Sequence, residues 1–395
     1  MKKICVVTGN RSEYGLLSRL IKMLEGSASF RLHLVVTGSH LSKEFGLTIN
    51  EIHADGLRVD QKIDIEISGQ SSLEITKSIG KGVIAFADYF QRKKPDLVLV
   101  MGDRYEIVAV ALAAFMANIP IVHISGGELS LGSKDDVLRH VITKLSSLHF
   151  VSAEEHRKRV IQLGEDPETI FDVGEPGLDD LHEIELLGKA TLEGLVGRRL
   201  DREFFLMTFH PSGVSSLDER VENDVKPLLQ SLDHFPDKLV LCCLPNSDVG
   251  GDAIKDDLLA YELANPERFH LYGSYGRAAF LSLASLSELV IGNSSSSLVE
   301  VPLLGVPSVD VGNRQRGRLR GLSVVHARNE KNDIVRAIKY ATSETQKETA
   351  GKKISLYGDG YACEKIIATL ERLELEKIRK HDFYDVDFML PSLED

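Results

Sequence analysis

Apolar and polar positions along this chain form two successive alternations of short hydrophobic runs and longer amphipathic stretches. In the first half the runs at 3–8, 32–37, 97–101, 119–124, 148–151 and 170–173 are rich in Val, Ile, Leu and Phe and mostly lack a polar face. Strands of that kind are covered on both sides, which predicts a parallel sheet. Between them, 16–25, 79–90, 107–116, 136–145 and 156–163 show the three-to-four spacing of helices. A charged, Leu-rich segment at 178–201 interrupts the series. The alternation then restarts, with strands predicted at 204–209, 238–243, 269–271, 289–291, 308–311 and 323–325. Helical stretches such as 217–232 separate most of them, and a long charged helix at about 363–380 closes the chain.

This pattern predicts an α/β protein with two Rossmann-like domains facing a central cleft. The expected division is 1–185, 186–365, and a C-terminal helix and tail at 366–395 able to pack back on the first domain. With 395 residues the chain exceeds the size that one core serves well. Ligands of such sheets bind outside the carboxyl ends of the strands. Polar residues that immediately follow predicted strands are therefore the candidates for function.

Composition narrows the classes. The net charge of −12 argues against a nucleic-acid groove, which needs a basic footprint. Cys5, Cys242, Cys243 and Cys363 show no metal-ligand spacing, and no His/Cys set is spaced for zinc. No Gly-x-x-x-x-Gly-Lys-Ser/Thr loop is present. The short apolar run after Met1-Lys2-Lys3 is too brief for a signal peptide, and no run approaches 18 apolar residues. A cytoplasmic protein with no membrane partner is expected.

Against this acidic background, Gly292-Asn293-Ser294-Ser295-Ser296-Ser297 stands out after the apolar run 289–291. Small residues at a strand-to-helix turn let backbone N–H groups converge on a phosphate. Glu300, one turn on, suits sugar hydroxyls. A plain Ser-rich N-cap is the alternative. Thr8-Gly9-Asn10-Arg11-Ser12-Glu13-Tyr14-Gly15 ends the first strand but lacks dinucleotide glycine spacing. There Arg11 fits a diphosphate or a salt bridge, and Glu13 fits the helix start or a sugar. Asp103, in Gly102-Asp103-Arg104, fits an N-cap or a site carboxylate, and Arg104 adds a charge that a cap does not need. Gly126-Gly127-Glu128 would bring Glu128 to the same rim. Asp136 and His140, and likewise Asp135 and Arg139, share helical faces four residues apart. In the second half, His210-Pro211 ends a strand, Pro245-Asn246-Ser247-Asp248 offers a polar loop, and 314–318 carries Arg314, Arg316 and Arg318. His40, after the second strand, joins the substrate-side set. Clustered carboxylates raise one another's pKa, so one of them can carry a proton.

These motifs, together with Thr143-Lys144 and Arg159-Val160-Ile161-Gln162-Leu163-Gly164-Glu165, resemble the hydrolysing UDP-N-acetylglucosamine 2-epimerases of bacterial sialic acid synthesis, over nearly the whole chain. The resemblance implies a GT-B-like architecture with UDP held mainly by the second domain. It implies conversion of UDP-N-acetylglucosamine and water to N-acetylmannosamine and UDP through a glycal, with no metal or redox cofactor. It assigns Asp103, Glu128, Asp135, Asp136 and His210 to catalysis. It assigns Arg11, Glu13, His40, Arg104, Arg139, His140, Asn246, Ser294, Ser295, Ser296, Glu300, Arg314 and Arg318 to the UDP-sugar. A homodimer or homotetramer is implied as well. Glu13 stands where many relatives have Asp, Met101 where some have His, and the loop 129–134 differs from the commonest form. A relative acting on UDP-N,N'-diacetylbacillosamine in legionaminic acid synthesis shares most of the motifs. A GT-B glycosyltransferase and a non-catalytic sugar-nucleotide sensor fit the same two-domain plan.

Overall fold

A computed structural model describes residues 1–67, 71–131, 133–211, 224–245, 251–273, 275–378 and 382–387. The chain divides into two units: Met1–Leu129, Ser133–Asp180 and Gly360–Asp395 form the first, and Ser130–Gly132 with Leu181–Asp359 form the second. The division therefore falls at 180/181 and 359/360, not at 185 and 365.

In the first unit seven parallel strands, β1 (Lys2–Thr8), β2 (Phe30–Thr37), β3 (Gln61–Ile63), β4 (Leu97–Met101), β5 (Ile121–Ile124), β6 (Leu148–Val151) and β7 (Ile170–Asp172), lie in the order β3-β2-β1-β4-β5-β6-β7. Helices α1 (Arg11–Gly26), α2 (Ile49–Ala54), α3 (Ser72–Lys93), α4 (Tyr105–Met116), α5 (Lys134–Leu145) and α6 (Glu154–Gln162) connect them. Because β1 leads outward to β2 and the chain then returns to β4, the order reverses between β1 and β4. A ligand crevice belongs at that switch point.

Two elements escaped the sequence reading, α2 and β3. Six and three residues respectively are too few to display a period. The helix expected at 79–90 instead runs Ser72–Lys93. A capping box between Ser71 and Glu74 starts it, and the first turn's Leu73 is exposed, so the apolar stripe does not mark the true start. Strand β5 starts after Pro120, which has no N–H for the ladder.

Both faces of the sheet are buried. Leu17, Leu20, Ile21 and Leu24 of α1 pack on one side with Cys363, Ile366 and Leu370 of the C-terminal helix (Ala362–Arg372). Phe86, Tyr89 and Phe90 of α3 cover the other side with Val110 and Ala114 of α4. The C-terminal helix is shorter than the 363–380 expected, with a short 3-10 segment at Leu375–Ile378 beyond it. Its start is capped by a residue distant in sequence: the N–H groups of Ala362 and Cys363 donate to the buried Asp179 carboxylate at 2.8 and 2.5 Å.

The second unit repeats the plan with six parallel strands, β8 (Phe204–Thr208), β9 (Leu239–Cys243), β10 (Phe269–Tyr272), β11 (Leu289–Gly292), β12 (Ser308–Val311) and β13 (Val324–Ala327), in the order β10-β9-β8-β11-β12-β13. Here the switch point lies between β8 and β11. Of the helix expected at 217–232, Lys226–Leu232 is present and 217–223 lies outside the described residues. All four cysteines are free thiols, and three of them are buried.

Candidate active site

The first-unit site grows from the carboxyl ends of β4 and β5. Gly102 leaves β4 at a φ of +80°, which turns the chain sharply before α4. Arg104, not Asp103, occupies the N-cap position of α4, so the capping alternative for Asp103 falls away. Asp103 turns instead to Arg139 on α5 and forms a direct ion pair with it. Arg139 is only 5% exposed. It also donates to the Ser125 carbonyl at 2.7 Å and stands 3.8 Å from Glu128. One buried guanidinium thus gathers two carboxylates that lie 25 positions apart in sequence. Burial pushes the Asp103 carboxyl above its usual range; Arg139 opposes this, and Asp135 and Glu128 add to it.

Asp135 and Asp136 open α5 behind the N-cap Ser133, whose hydroxyl accepts from the Asp135 N–H at 3.1 Å. Asp136 stands 4.0 Å from His140, an ion pair whenever the imidazole is charged. Both carboxylates lie in the first turn, where the helix dipole favours negative charge.

Behind Glu128 lies a layer that sequence reasoning missed. The Ser152 hydroxyl, on the loop between β6 and α6, donates to Glu128 Oε1 at 2.9 Å. The same hydroxyl meets His156 Nδ1 at 2.9 Å. Arg159 donates to the Gly127 carbonyl at 2.9 Å. Gly127 has a φ of +76°, and a Cβ there would sit 2.3 Å from the His156 carbonyl oxygen. The second glycine of Gly126-Gly127-Glu128 therefore exists so that α6 can close on the loop that carries Glu128. The motif signalled close approach, but nothing local in the sequence said which segment approaches.

His123 anchors the opposite wall. It is fully buried, and Nε2 donates to the Gly102 carbonyl at 2.8 Å while Nδ1 meets the Thr143 hydroxyl at 3.2 Å. Burial depresses its pKa to about 3, so it works as a neutral brace.

The segments after β1 and β2 bear on three expectations. Arg11 is 72% exposed and pairs with Glu51 of α2 at 2.9 Å, so in this structure the salt-bridge alternative holds. Glu13 turns inward, accepts from the Gly9 N–H at 3.2 Å, and is buried beside Glu106, which with burial pushes its carboxyl well above the usual range. His40 does not face outward. It is buried, its two ring nitrogens meet the hydroxyls of Thr48 at 2.8 Å and Thr8 at 3.2 Å, and burial lowers its pKa to about 4. Arg104 stands 3.5 Å from Glu106 and leans over the Tyr105 ring.

The second-unit cluster surrounds the switch point between β8 and β11. Gly292 has a φ of +142°, and a Cβ there would lie 1.7 Å from the Thr208 carbonyl oxygen, so only glycine fits where the two strand ends touch. Asn293 then holds His210 by both backbone groups: Oδ1 accepts from the His210 N–H and Nδ2 donates to its carbonyl, each at 2.8 Å. The Asn293 carbonyl in turn accepts from Arg314 at 3.0 Å and Gln315 at 2.9 Å, and Arg314 Nε donates to Pro211 at 3.1 Å. Arg314 therefore ties loops together. Arg318 is half-buried with its guanidinium uncommitted among the described residues. The turn after β11 differs from the single helix expected. Two four-residue helices, Ser296–Val299 and Val301–Leu304, meet at Glu300, because Pro302 breaks the run. Ser294, Ser295 and Ser296 are half-buried, and Ser294 Oγ accepts from the Ser296 N–H at 3.4 Å. Glu300 pairs with Arg277 at 2.9 Å. Asn246 lies outside the described residues.

Among the described residues no group of three His, Cys, Asp or Glu side chains is arranged to hold a metal, and no helix is long and apolar enough to cross a membrane.

Known proteins match this arrangement along the whole chain. The GDP/UDP-N,N'-diacetylbacillosamine 2-epimerase (hydrolyzing) of Campylobacter jejuni is 35% identical over 386 residues, 98% of this chain and 99% of its own. The polysialic acid biosynthesis protein P7 of Escherichia coli is 37% identical over 388 residues, 98% of each chain. The crystal structure of UDP-GlcNAc 2-epimerase from Neisseria meningitidis bound to UDP-GlcNAc shares the fold, with a TM-score of 0.76 at 19% identity over 93% of this chain and 99% of that one. The sequence profile of UDP-N-acetylglucosamine 2-epimerases matches residues 22–371, and the chain belongs to that family.

Proposed function

We propose that this protein is a hydrolysing UDP-sugar 2-epimerase that converts UDP-N-acetylglucosamine and water to N-acetylmannosamine and UDP. The observation that carries the reading is the Arg139 cluster, with Asp103 and Glu128 held by one buried cation and the Asp103 carboxyl displaced upward. A carboxylate of this set removes the proton at sugar C2. The electron pair of the C2–H bond forms the C1–C2 double bond, and the C1–O bond electrons leave with UDP. A carboxyl then returns a proton to C2 on the opposite face, which inverts that centre, while the oxygen of water bonds to C1 and its released proton passes to the carboxylate left behind. The Asp103 carboxyl, raised by burial, suits a group that carries a proton to donate, with a second carboxylate beside it to accept one.

The second unit serves UDP in this reading. His210, fixed by Asn293, and Arg318 stabilise the departing diphosphate, the serines contact phosphate, and Glu300 contacts ribose. In the first unit, Arg11 is available to a phosphate oxygen once that anion displaces Glu51. The enzyme acts in the cytoplasm as a homodimer or homotetramer, which light scattering on the purified protein checks.

A second substrate has a specific observation behind it. The Campylobacter relative, similar over 98% of this chain, is a hydrolysing epimerase for the diacetylbacillosamine nucleotide. Incubation with each UDP-sugar in deuterated water, without acceptor, tests both. Release of the free 2-epimer with deuterium at C2 supports hydrolysing epimerisation, and the faster substrate identifies the pathway. Return of a nucleotide-linked epimer, strict acceptor dependence, or binding without turnover would each replace the reading.

A further inference from the structure

Ser152 and His156 form a hydrogen-bonded chain behind Glu128 that cannot be recognised from the sequence. Ser152 is 1% exposed and His156 2%. The Ser152 hydroxyl has one hydrogen, and it points to Glu128 Oε1, a group that accepts. The contact of 2.9 Å between Ser152 Oγ and His156 Nδ1 must then be donated by the imidazole. With Glu128 ionised the chain runs in one direction: Nδ1–H to Oγ, and Oγ–H to Oε1. Burial lowers the His156 pKa, which favours the neutral ring, while Glu128 opposes this and Arg159 and Arg139 add to it; the Ser152 hydroxyl, already donating to Glu128, then selects the Nδ1–H form. Gly127 lets this segment close on the Glu128 loop, and Arg159 locks it there through the Gly127 carbonyl.

We infer that the His156–Ser152 chain is a positioning device that commits Glu128 Oε1 to permanent acceptance and assigns proton transfer with the sugar to Oε2, the oxygen turned toward Arg139. The charged groups facing Glu128 are Arg139 and Asp103 from α5 and the β4 end, and His156 and Arg159 from α6. The chain donates to the ionised carboxylate and so favours it at the pH where a base is needed. It also fixes the carboxylate plane, which a lone ion pair to Arg139 does not. This inference rests on the proposed role of Glu128 in the epimerase reaction.

Its test has two arms. In protein labelled with 15N-histidine, the His156 ring nitrogens should report a neutral Nδ1–H tautomer in wild type, and that preference should be lost in S152A. A neutral Nε2–H tautomer in wild type would overturn the inference whatever the substrate is. In the second arm, the pH profile of kcat/KM is recorded for S152A, H156L and H156N. The acid limb should move up by about one pH unit in S152A and H156L, roughly a tenfold loss on that limb with a smaller loss at higher pH. Asn at 156 supplies an N–H near the place of Nδ1 and should restore the limb. A uniform loss at every pH, unrescued by H156N, would mark these residues as merely structural. E128Q separates the two failures. If E128Q retains C2 deuterium exchange, the role of Glu128 falls. If it abolishes exchange while S152A leaves the limb in place, only the present inference falls.

Discussion

Replacement of Arg139 by methionine should destabilise the first unit in a way that depends on pH. Methionine preserves much of the buried volume and removes the charge. In the wild type the guanidinium stands 3.8 Å from Glu128 Oε2 and pairs directly with Asp103. At 3.8 Å the Coulomb attraction is about 4 kcal/mol for an effective dielectric of 20, equivalent to about three pKa units. Breaking such a pair costs about 3–5 kcal/mol when the partner must stay charged. Carboxyls, however, can escape by taking a proton. In R139M the Glu128 carboxyl rises above its unfolded value near 4, and Asp103, already raised by burial, rises further. A group raised in this way contributes its stability below the unfolded pKa and loses it as pH rises through the folded one. R139M should therefore unfold with a small loss near pH 4.5 and the full loss of about 3–5 kcal/mol by pH 8. Hydrogen–deuterium exchange of β4 and β5 amides measures this for the first unit alone. A loss of equal size at both pH values would refute the reasoning, because the deficit would then be packing and not charge. R139K, which keeps a cation without the fork, should fall between the two.

Three other outcomes follow from the geometry. In N293A the His210 segment loses both of its backbone anchors, so kcat should fall by at least tenfold and unit 2 should lose about 1–3 kcal/mol; steady-state kinetics and urea midpoints decide. D179A removes the cap of the C-terminal helix and should raise exchange at 362–372 by about 1–2 kcal/mol, with the second-unit strands unchanged. His40 is depressed to about 4 from an ordinary 6.5. A depressed histidine gives its full stabilisation above 6.5 and loses it as pH falls toward 4, so H40Q should flatten the acid slope of first-unit stability by about 3 kcal/mol across that window; an unchanged slope would show that His40 does not titrate this way.

How far the sequence speaks can be judged element by element. Strands β4 and β6 were predicted to the residue, since uninterrupted apolar runs have one use in a doubly wound sheet. The strand after which each site motif sits was legible for the same reason. The glycines at 127 and 292 were legible as places of close approach, but that the His156 and Thr208 carbonyls are what approach came only from the structure. What was not legible is which charged groups meet. Arg11 and Glu13 read equally well as ligands or as local pairs, and the choice came from Glu51 and Glu106, which lie 40 and 93 positions further on. Arg314 looked like a phosphate ligand until the Pro211 and Asn293 carbonyls were seen to occupy it.

Periodicity is local, so the chain by itself determined two parallel sheets, and its motifs carried the resemblance to the family; the strand order and its switch points came from the fold. Ion pairs and hydrogen-bond direction depend on groups that only folding brings within 3 or 4 Å. The tertiary structure alone therefore decided that Arg139 joins Asp103 to Glu128, that Asn293 pins His210, and that His40 is packed away from solvent. It also put Ser152 behind the carboxylate expected to move a proton.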